Sequence, residues 1–190
     1  MGKIVISQNV TLDGVVEDPS GGEGFRHGGW FGQFIGEDWE AWAELELAET
    51  QGAEALLLGR RSDEYFANQS QHVSGEWVDN LNRLPKYVVS SKLQEPKWTN
   101  ATVLSGDVVD AVSTLKGQTR GEIVVYGSRQ LVHTLMEHDL VDEMRLLVFP
   151  VLLGAGEPLF GETSDKRPLR LIHTQTVGNG LVHLTYERAR

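Results

Sequence analysis

The chain has 190 residues, 40% of them hydrophobic, and no long low-complexity tract, a size that fits one compact domain over residues 1–190 with its own core. Seventeen lysines and arginines against 27 aspartates and glutamates give a formal charge of −10, which argues against nucleic-acid or anionic-membrane binding and requires a local basic cluster for any anionic ligand. The absence of cysteine excludes disulfides and thiolate metal sites, and with no signal-like N-terminus and no apolar stretch near the roughly 20 residues of a membrane span the expected location is the cytoplasm.

In chain order, Lys3 to Gln8 carries the β-branched run Ile4-Val5-Ile6 and predicts a buried first strand, with Thr11-Leu12-Asp13-Gly14 reading as a turn. Glu17 to Gly36 holds seven glycines together with Trp30, Phe31 and Phe34, the composition of a surface loop that can pack its own aromatics or cover a planar ligand. From Asp38 to Gln51 the acidic start, the three-residue spacing of Trp39, Trp42, Leu45 and Ala48, and the stop at Gly52 predict a helix whose apolar stripe is core. A strand at Ala55 to Leu58 and a short helix from Ser62 to Phe66 follow. The polar stretch from Ala67 to Arg83 gives no clear element. Tyr87-Val88-Val89 and Thr102-Val103-Leu104 read as strands, Asp107 to Lys116 as a helix, and Glu122 to Tyr126 as a strand running into Gly127-Ser128-Arg129 and a helix that ends near His138. Glu143 to Phe149 is a strand, Pro150 to Gly161 a Gly/Pro loop, and Leu169 to Val177 with Leu181 to Glu187 an antiparallel hairpin around Gly178-Asn179-Gly180. The alternation predicts an α/β fold of three layers, a mixed and mostly parallel central sheet with helices on both faces and a terminal antiparallel hairpin.

Ligands of such sheets bind outside the carboxyl ends of the strands. Three of those ends are chemically alike. Leu58-Gly59-Arg60-Arg61-Ser62 offers two guanidinium forks and a helix start to one anion, Ser90-Ser91-Lys92 is basic and hydroxyl-rich, and Gly127-Ser128-Arg129-Gln130 opens another helix. The Arg60-Arg61 pair alone also reads as solvated surface. The six histidines show no tight ligand spacing, so no metal is expected.

Four segments together, Ser7 to Gly14, Leu58 to Ser62, Val124 to Leu131 and Leu140 to Gly156, resemble the dihydrofolate reductase-like superfamily, and within it the C-terminal reductase domain of the bifunctional riboflavin-biosynthesis deaminase/reductase. The resemblance covers nearly the whole chain. It implies NADPH as cofactor, with Gly59, Arg60, Arg61 and Ser62 contacting phosphate, Ser90, Ser91 and Lys92 at the adenosine 2′-phosphate end, and Gly127, Ser128, Arg129, Gln130 and Leu131 at the pyrophosphate. Many relatives carry a second glycine where this chain has Ser128, and a serine there restricts the backbone.

For the protonation that accompanies hydride transfer, the resemblance offers Asp13 in the Leu-Asp-Gly turn and Asp38 at the helix start, with Glu37 competing for the second place. Asp13 as a turn stabiliser and Asp38 as a helix N-cap remain open alternatives. Trp30, Phe34 and Phe66 are candidates for a flat substrate site, against a role in core packing. The expected activity is NADPH-dependent reduction of a pterin, pyrimidine or related small heterocycle. The alternatives are a riboflavin-pathway 5-amino-6-(5-phosphoribosylamino)uracil reductase-type reaction and a non-catalytic nucleotide-binding protein. The apolar Pro150 to Gly156 loop, used by the resembling family near its subunit contact, predicts a homodimer, unless the loop only packs over its own sheet.

Overall fold

Glycine punctuation and short β-branched runs set most element boundaries. The computed structural model describes residues 1–161 and 165–189. In order they form β1 (Lys3–Thr11), α1 (Trp30–Phe34), a 3₁₀ turn (Gly36–Asp38), α2 (Trp39–Gly52), β2 (Ala53–Gly59), α3 (Arg60–Gln69), α4 (Glu76–Arg83), β3 (Lys86–Val89), β4 (Ala101–Leu104), α5 (Val108–Gln118), β5 (Glu122–Tyr126), α6 (Arg129–Glu137), β6 (Glu143–Phe149), β7 (Leu169–Val177) and β8 (Leu181–Arg188). The strands make one mixed eight-stranded sheet in the order β4-β3-β2-β5-β1-β6-β8-β7. The β4-β3-β2-β5 ladders are parallel and the β6-β8-β7 ladders antiparallel.

The chain divides into two compact units. The first comprises Met1–Ile6 and Leu45–Asp142, the second Ser7–Glu44 and Glu143–Arg190. In the first, Leu56 and Leu58 of β2, Val124 and Tyr126 of β5, Val5, Ala67, Leu81 and Trp98 form one apolar cluster. β2 is buried at four successive positions, Ala55 to Leu58, as a parallel strand covered on both faces should be. Because Gly59 is register-paired with Val89 and Leu56 with Val124, the carboxyl ends of β3, β2 and β5 fall on one edge.

In the second unit, β8 carries Leu181, His183 and Thr185 on a covered face, whereas β7 is exposed from Leu169 to Thr176. The two strands are joined through Gly178, whose φ of +62° favours glycine.

Several sequence expectations are corrected. The first strand continues to Thr11, because Leu12 donates to the Val151 carbonyl and Thr11 to that of Val15, so pairing outlasts the β-branched run. The glycine-rich segment contains α1. The polar stretch contains α4, which enters at Gly75 with φ +138° and no side-chain cap, so neither start signal nor apolar density marks it. The α2 stripe is not core. Trp39 is 52% exposed, and the buried residues of the helix are Glu46 and Thr50, since Trp39 and Trp42 cluster with Phe31 instead.

Candidate active site

At the carboxyl edge of the first unit, β2 ends at Gly59 and α3 begins at once with Arg60 and Arg61. Gly59 is extended and gives α3 no side-chain cap; Ser128 likewise gives none to α6. Each helix start therefore presents amides and the positive end of its dipole without a competing side-chain acceptor at the cap. Arg60 lies 3.6 Å from Glu64 on the exposed side of α3, and Arg61 is exposed with no ion pair among the described residues. Ser90 turns inward on its own loop, its Oγ accepting the amides of Lys92 at 3.2 Å and Leu93 at 3.1 Å, while Ser91 and Lys92 face solvent. Gln130 is exposed and Leu131 buried, so Leu131 can contribute only backbone to a ligand.

Gly127 and Ser128 both have positive φ, +56° and +57°. A non-glycine residue in the left-handed region costs about 1–2 kcal/mol, and four contacts offset it. The Ser128 amide donates to Ser62 Oγ at 3.0 Å, the two hydroxyls are hydrogen-bonded at 2.9 Å, Ser128 Oγ reaches the Tyr126 carbonyl at 3.1 Å, and the Gly59 amide donates to Ser128 Oγ at 2.9 Å. A Cβ on Gly127 would lie 3.0 Å from Ser62 Oγ, which is why the turn keeps glycine there.

The loop after Ser90–Lys92 is fixed by groups that sequence reasoning missed. Asp63 of α3 is fully buried, and its carboxylate accepts the amides of Lys97 at 2.6 Å and Trp98 at 3.2 Å. Lys86 is also fully buried. Its Nζ donates to the carbonyls of Leu84 at 2.7 Å and Asn82 at 3.1 Å and sits 4.6 Å from the centre of the Trp98 ring. Burial lowers its pKa to about 8, Asp63 opposing the shift. Phe66 stacks on Trp98, centroids 5.5 Å apart, as part of this core. A separate cleft of about 360 Å3, lined by Thr50, Ala53, Asn80, Arg83 and Pro85 among others, opens at the amino ends of β2 and β3, where Arg83 is already bonded to Asn80.

In the second unit, Asp13 Oδ1 accepts the Thr11 hydroxyl at 2.6 Å, and Oδ2 accepts the amides of Leu153 at 3.0 Å and Gly154 at 2.8 Å. Desolvation acts to raise its pKa, but the Thr11, Gly154 and Leu153 hydrogen bonds outweigh it and hold the group below the usual carboxylate value. The same bonds tie down the Pro150–Gly156 loop, on which Leu152 stays 68% exposed. Asp38 does not cap α2. It closes the 3₁₀ turn, is buried, and its two oxygens accept the amides of Asn179 at 2.7 Å and Gly180 at 2.8 Å. Trp30 is fully buried against Phe149 and donates its Nε1 hydrogen to the Glu17 carbonyl, a core residue. Phe34 is 39% exposed. The accessible aromatic surface is made by Phe31, Trp39 and Trp42, with Trp42 Nε1 3.4 Å from Asn9 Oδ1. Among the described residues no group of three His, Asp or Glu side chains could hold a metal ion, and no helix is long and apolar enough to cross a membrane.

The strand order, the three parallel strand ends and the closing antiparallel hairpin define a dihydrofolate reductase-like α/β fold. Dihydrofolate reductase from Enterococcus faecalis, solved with NADP(H) and RAB-propyl, superposes with a TM-score of 0.65 at 13% identity over 100% of this chain and 98% of that one. A Shewanella sp. PV-4 protein described provisionally as a riboflavin biosynthesis protein superposes with a TM-score of 0.77 at 24% identity over the whole of both chains. Within this fold the chain belongs to the RibD C-terminal domain family, which it matches over residues 2–183. The uncharacterized protein YyaP of Bacillus subtilis is 27% identical over 192 residues, 97% of this chain and 94% of the relative.

Proposed function

We propose that the protein is an NADPH-dependent reductase acting on a small planar heterocycle. The observation that carries the reading is the pairing of Arg60 and Arg61 at the start of α3 with the start of α6 on one edge of adjacent parallel strands. That donor set, uncapped helix amides plus guanidinium forks, matches the chemistry of a diphosphate and a ribose 2′-phosphate. The Gly127-Ser128 turn also fits, because its left-handed backbone is already accommodated by hydrogen bonds. Once bound, the nicotinamide supplies a hydride. The first unit's own part is to hold the phosphates. Within the second unit, Phe31, Trp39 and Trp42 offer an aromatic surface, and hydrogen bonds hold Asp13 as the carboxylate in its loop. With the oxygens of Asp13 and Asp38 engaged as acceptors, we assign the proton to solvent rather than to either side chain.

Membership of the RibD C-terminal domain family favours a second, narrower reading, in which the heterocycle is a ribosylamino-pyrimidine of the riboflavin pathway. Both readings are tested by titrating the protein with NADPH and NADH while following its tryptophan fluorescence. Arg60→Ala and Arg61→Ala should each weaken NADPH by roughly 1.5–3 kcal/mol, the worth of a charge-assisted contact, and NADH much less. Equal losses for both cofactors move the arginines to the diphosphate, and no binding of either cofactor by the unmodified protein overturns the reading. Screening pterins against ribosylamino-pyrimidines as acceptors then separates the two substrates.

A further inference from the structure

Ser62 and Ser128 come from the first turn of α3 and the cap of α6, 66 positions apart in sequence, yet their hydroxyls are 2.9 Å from one another. Neither hydroxyl is positioned as a simple ligand group. Ser128 Oγ accepts the Gly59 amide, the last of β2, and reaches the Tyr126 carbonyl, the last of β5, while Ser62 Oγ accepts the Ser128 amide. The set thus joins the ends of two parallel strands and the starts of two helices through one pair of side chains. The amides of Gly59 and Ser128 are thus each satisfied by a serine oxygen.

Resting on the cofactor reading above, we infer that Ser62 and Ser128 form a positioning lock that fixes the amino ends of α3 and α6 relative to each other, so that one dinucleotide diphosphate can be held by both. A glycine at position 128 would adopt φ +57° without strain but would carry no oxygen for the Gly59 amide or for Ser62. The serine therefore trades backbone freedom for a fixed spacing between the two helix starts. A preorganised spacing improves binding of a ligand that spans both helices and leaves unchanged a ligand that meets only one.

The test is a calorimetric titration of the purified protein and its Ser62→Ala, Ser128→Ala and Ser128→Gly variants with two probes, NADPH and adenosine 2′-monophosphate, which lacks the diphosphate. Ser128→Gly avoids the strain that alanine meets at positive φ, and Ser62→Ala removes the partner oxygen without altering that backbone. The lock predicts that each single variant binds NADPH about three- to ten-fold more weakly, the size of one or two lost hydrogen bonds. It predicts that Ser62→Ala combined with Ser128→Gly is little worse than the weaker single change, and that adenosine 2′-monophosphate binds all forms equally. NADPH affinity unchanged in Ser128→Gly and Ser62→Ala overturns the lock and leaves the cofactor reading standing. Equal weakening for both probes also overturns it, since the loss is then general loosening of the edge. An unmodified protein that binds no NADPH overturns the cofactor reading and the lock together.

Discussion

The Asp38 carboxylate accepts the backbone N–H of Gly180 at 2.8 Å, and through its other oxygen that of Asn179 at 2.7 Å, so a residue that resembles a catalytic acid in sequence serves here as the clamp of the β7–β8 turn. Gly178 lies so near that any Cβ there would overlap the same carboxylate, at a position whose φ is +62°. Asp38→Asn removes one acceptor oxygen, and losing that half-buried hydrogen bond costs about 0.5–1.5 kcal/mol. The urea midpoint should fall accordingly with the m-value unchanged, and Gly178→Ala should fall further. A proton-donor role would give the opposite pattern, lost turnover with an unchanged midpoint.

Asp13 carries the complementary prediction in pH. Its folded pKa lies below the ordinary value because the Thr11, Gly154 and Leu153 hydrogen bonds outweigh desolvation. The stabilisation is thus present above the unfolded carboxylate pKa and is lost as pH falls through the folded one. Asp13→Asn should flatten the acid limb of the stability profile below about pH 4 and leave the curve near neutrality with the same shape. NMR titration of the Asp13 carboxyl carbon reads the shift directly.

The strands were legible where burial makes a sequence monotonous, as at Ile4-Val5-Ile6 and Leu56-Leu57-Leu58, and the turn at Gly178-Asn179-Gly180 was legible because positive φ leaves few residue choices. The basic strand ends were legible too, since a glycine followed by arginines keeps its local meaning. What escaped depends on partners distant in sequence. Asp63 is buried because it holds the amides of Lys97 and Trp98, and nothing near position 63 announces that. Position 128 on its own signals only a restriction on the backbone, whereas Ser62 makes Ser128 a bridging group. Spacing placed Trp39 and Trp42 in a core stripe, but Phe31 gathers them into an aromatic cluster that leaves Trp39 half exposed.

Trp30 and Phe34, both read from sequence as candidates for the substrate surface, separate cleanly by burial. Trp30 is inaccessible, packs edge-on to Phe149 at 5.2 Å and satisfies its indole hydrogen on Glu17, while Phe34 is 39% exposed. Trp30→Ala should cost about 3–5 kcal/mol by leaving a cavity, and Phe34→Ala about 1 kcal/mol or less. Thermal unfolding of both variants checks the order. If Phe34 also contacts the heterocycle, its substitution raises KM in a fully folded protein.

Glu46 of α2 is buried, and desolvation, reinforced by the nearby charge of Glu49, raises its pKa well above the ordinary glutamate value. The sign is opposite to that of Asp13. The folded state prefers the protonated acid, so its contribution is fully favourable below the unfolded pKa and is lost as pH rises towards the folded one. A neutral isostere removes that dependence. Glu46→Gln should therefore match the parent near pH 4 and become progressively more stable than it towards neutral pH, where the parent must either ionise a buried carboxyl or hold a proton against the solvent. Melting temperatures of the two proteins measured in parallel between pH 4 and 8 provide the check. A constant difference across that range would mean that Glu46 titrates alike in the folded and unfolded chain, and that α2 tolerates its charge.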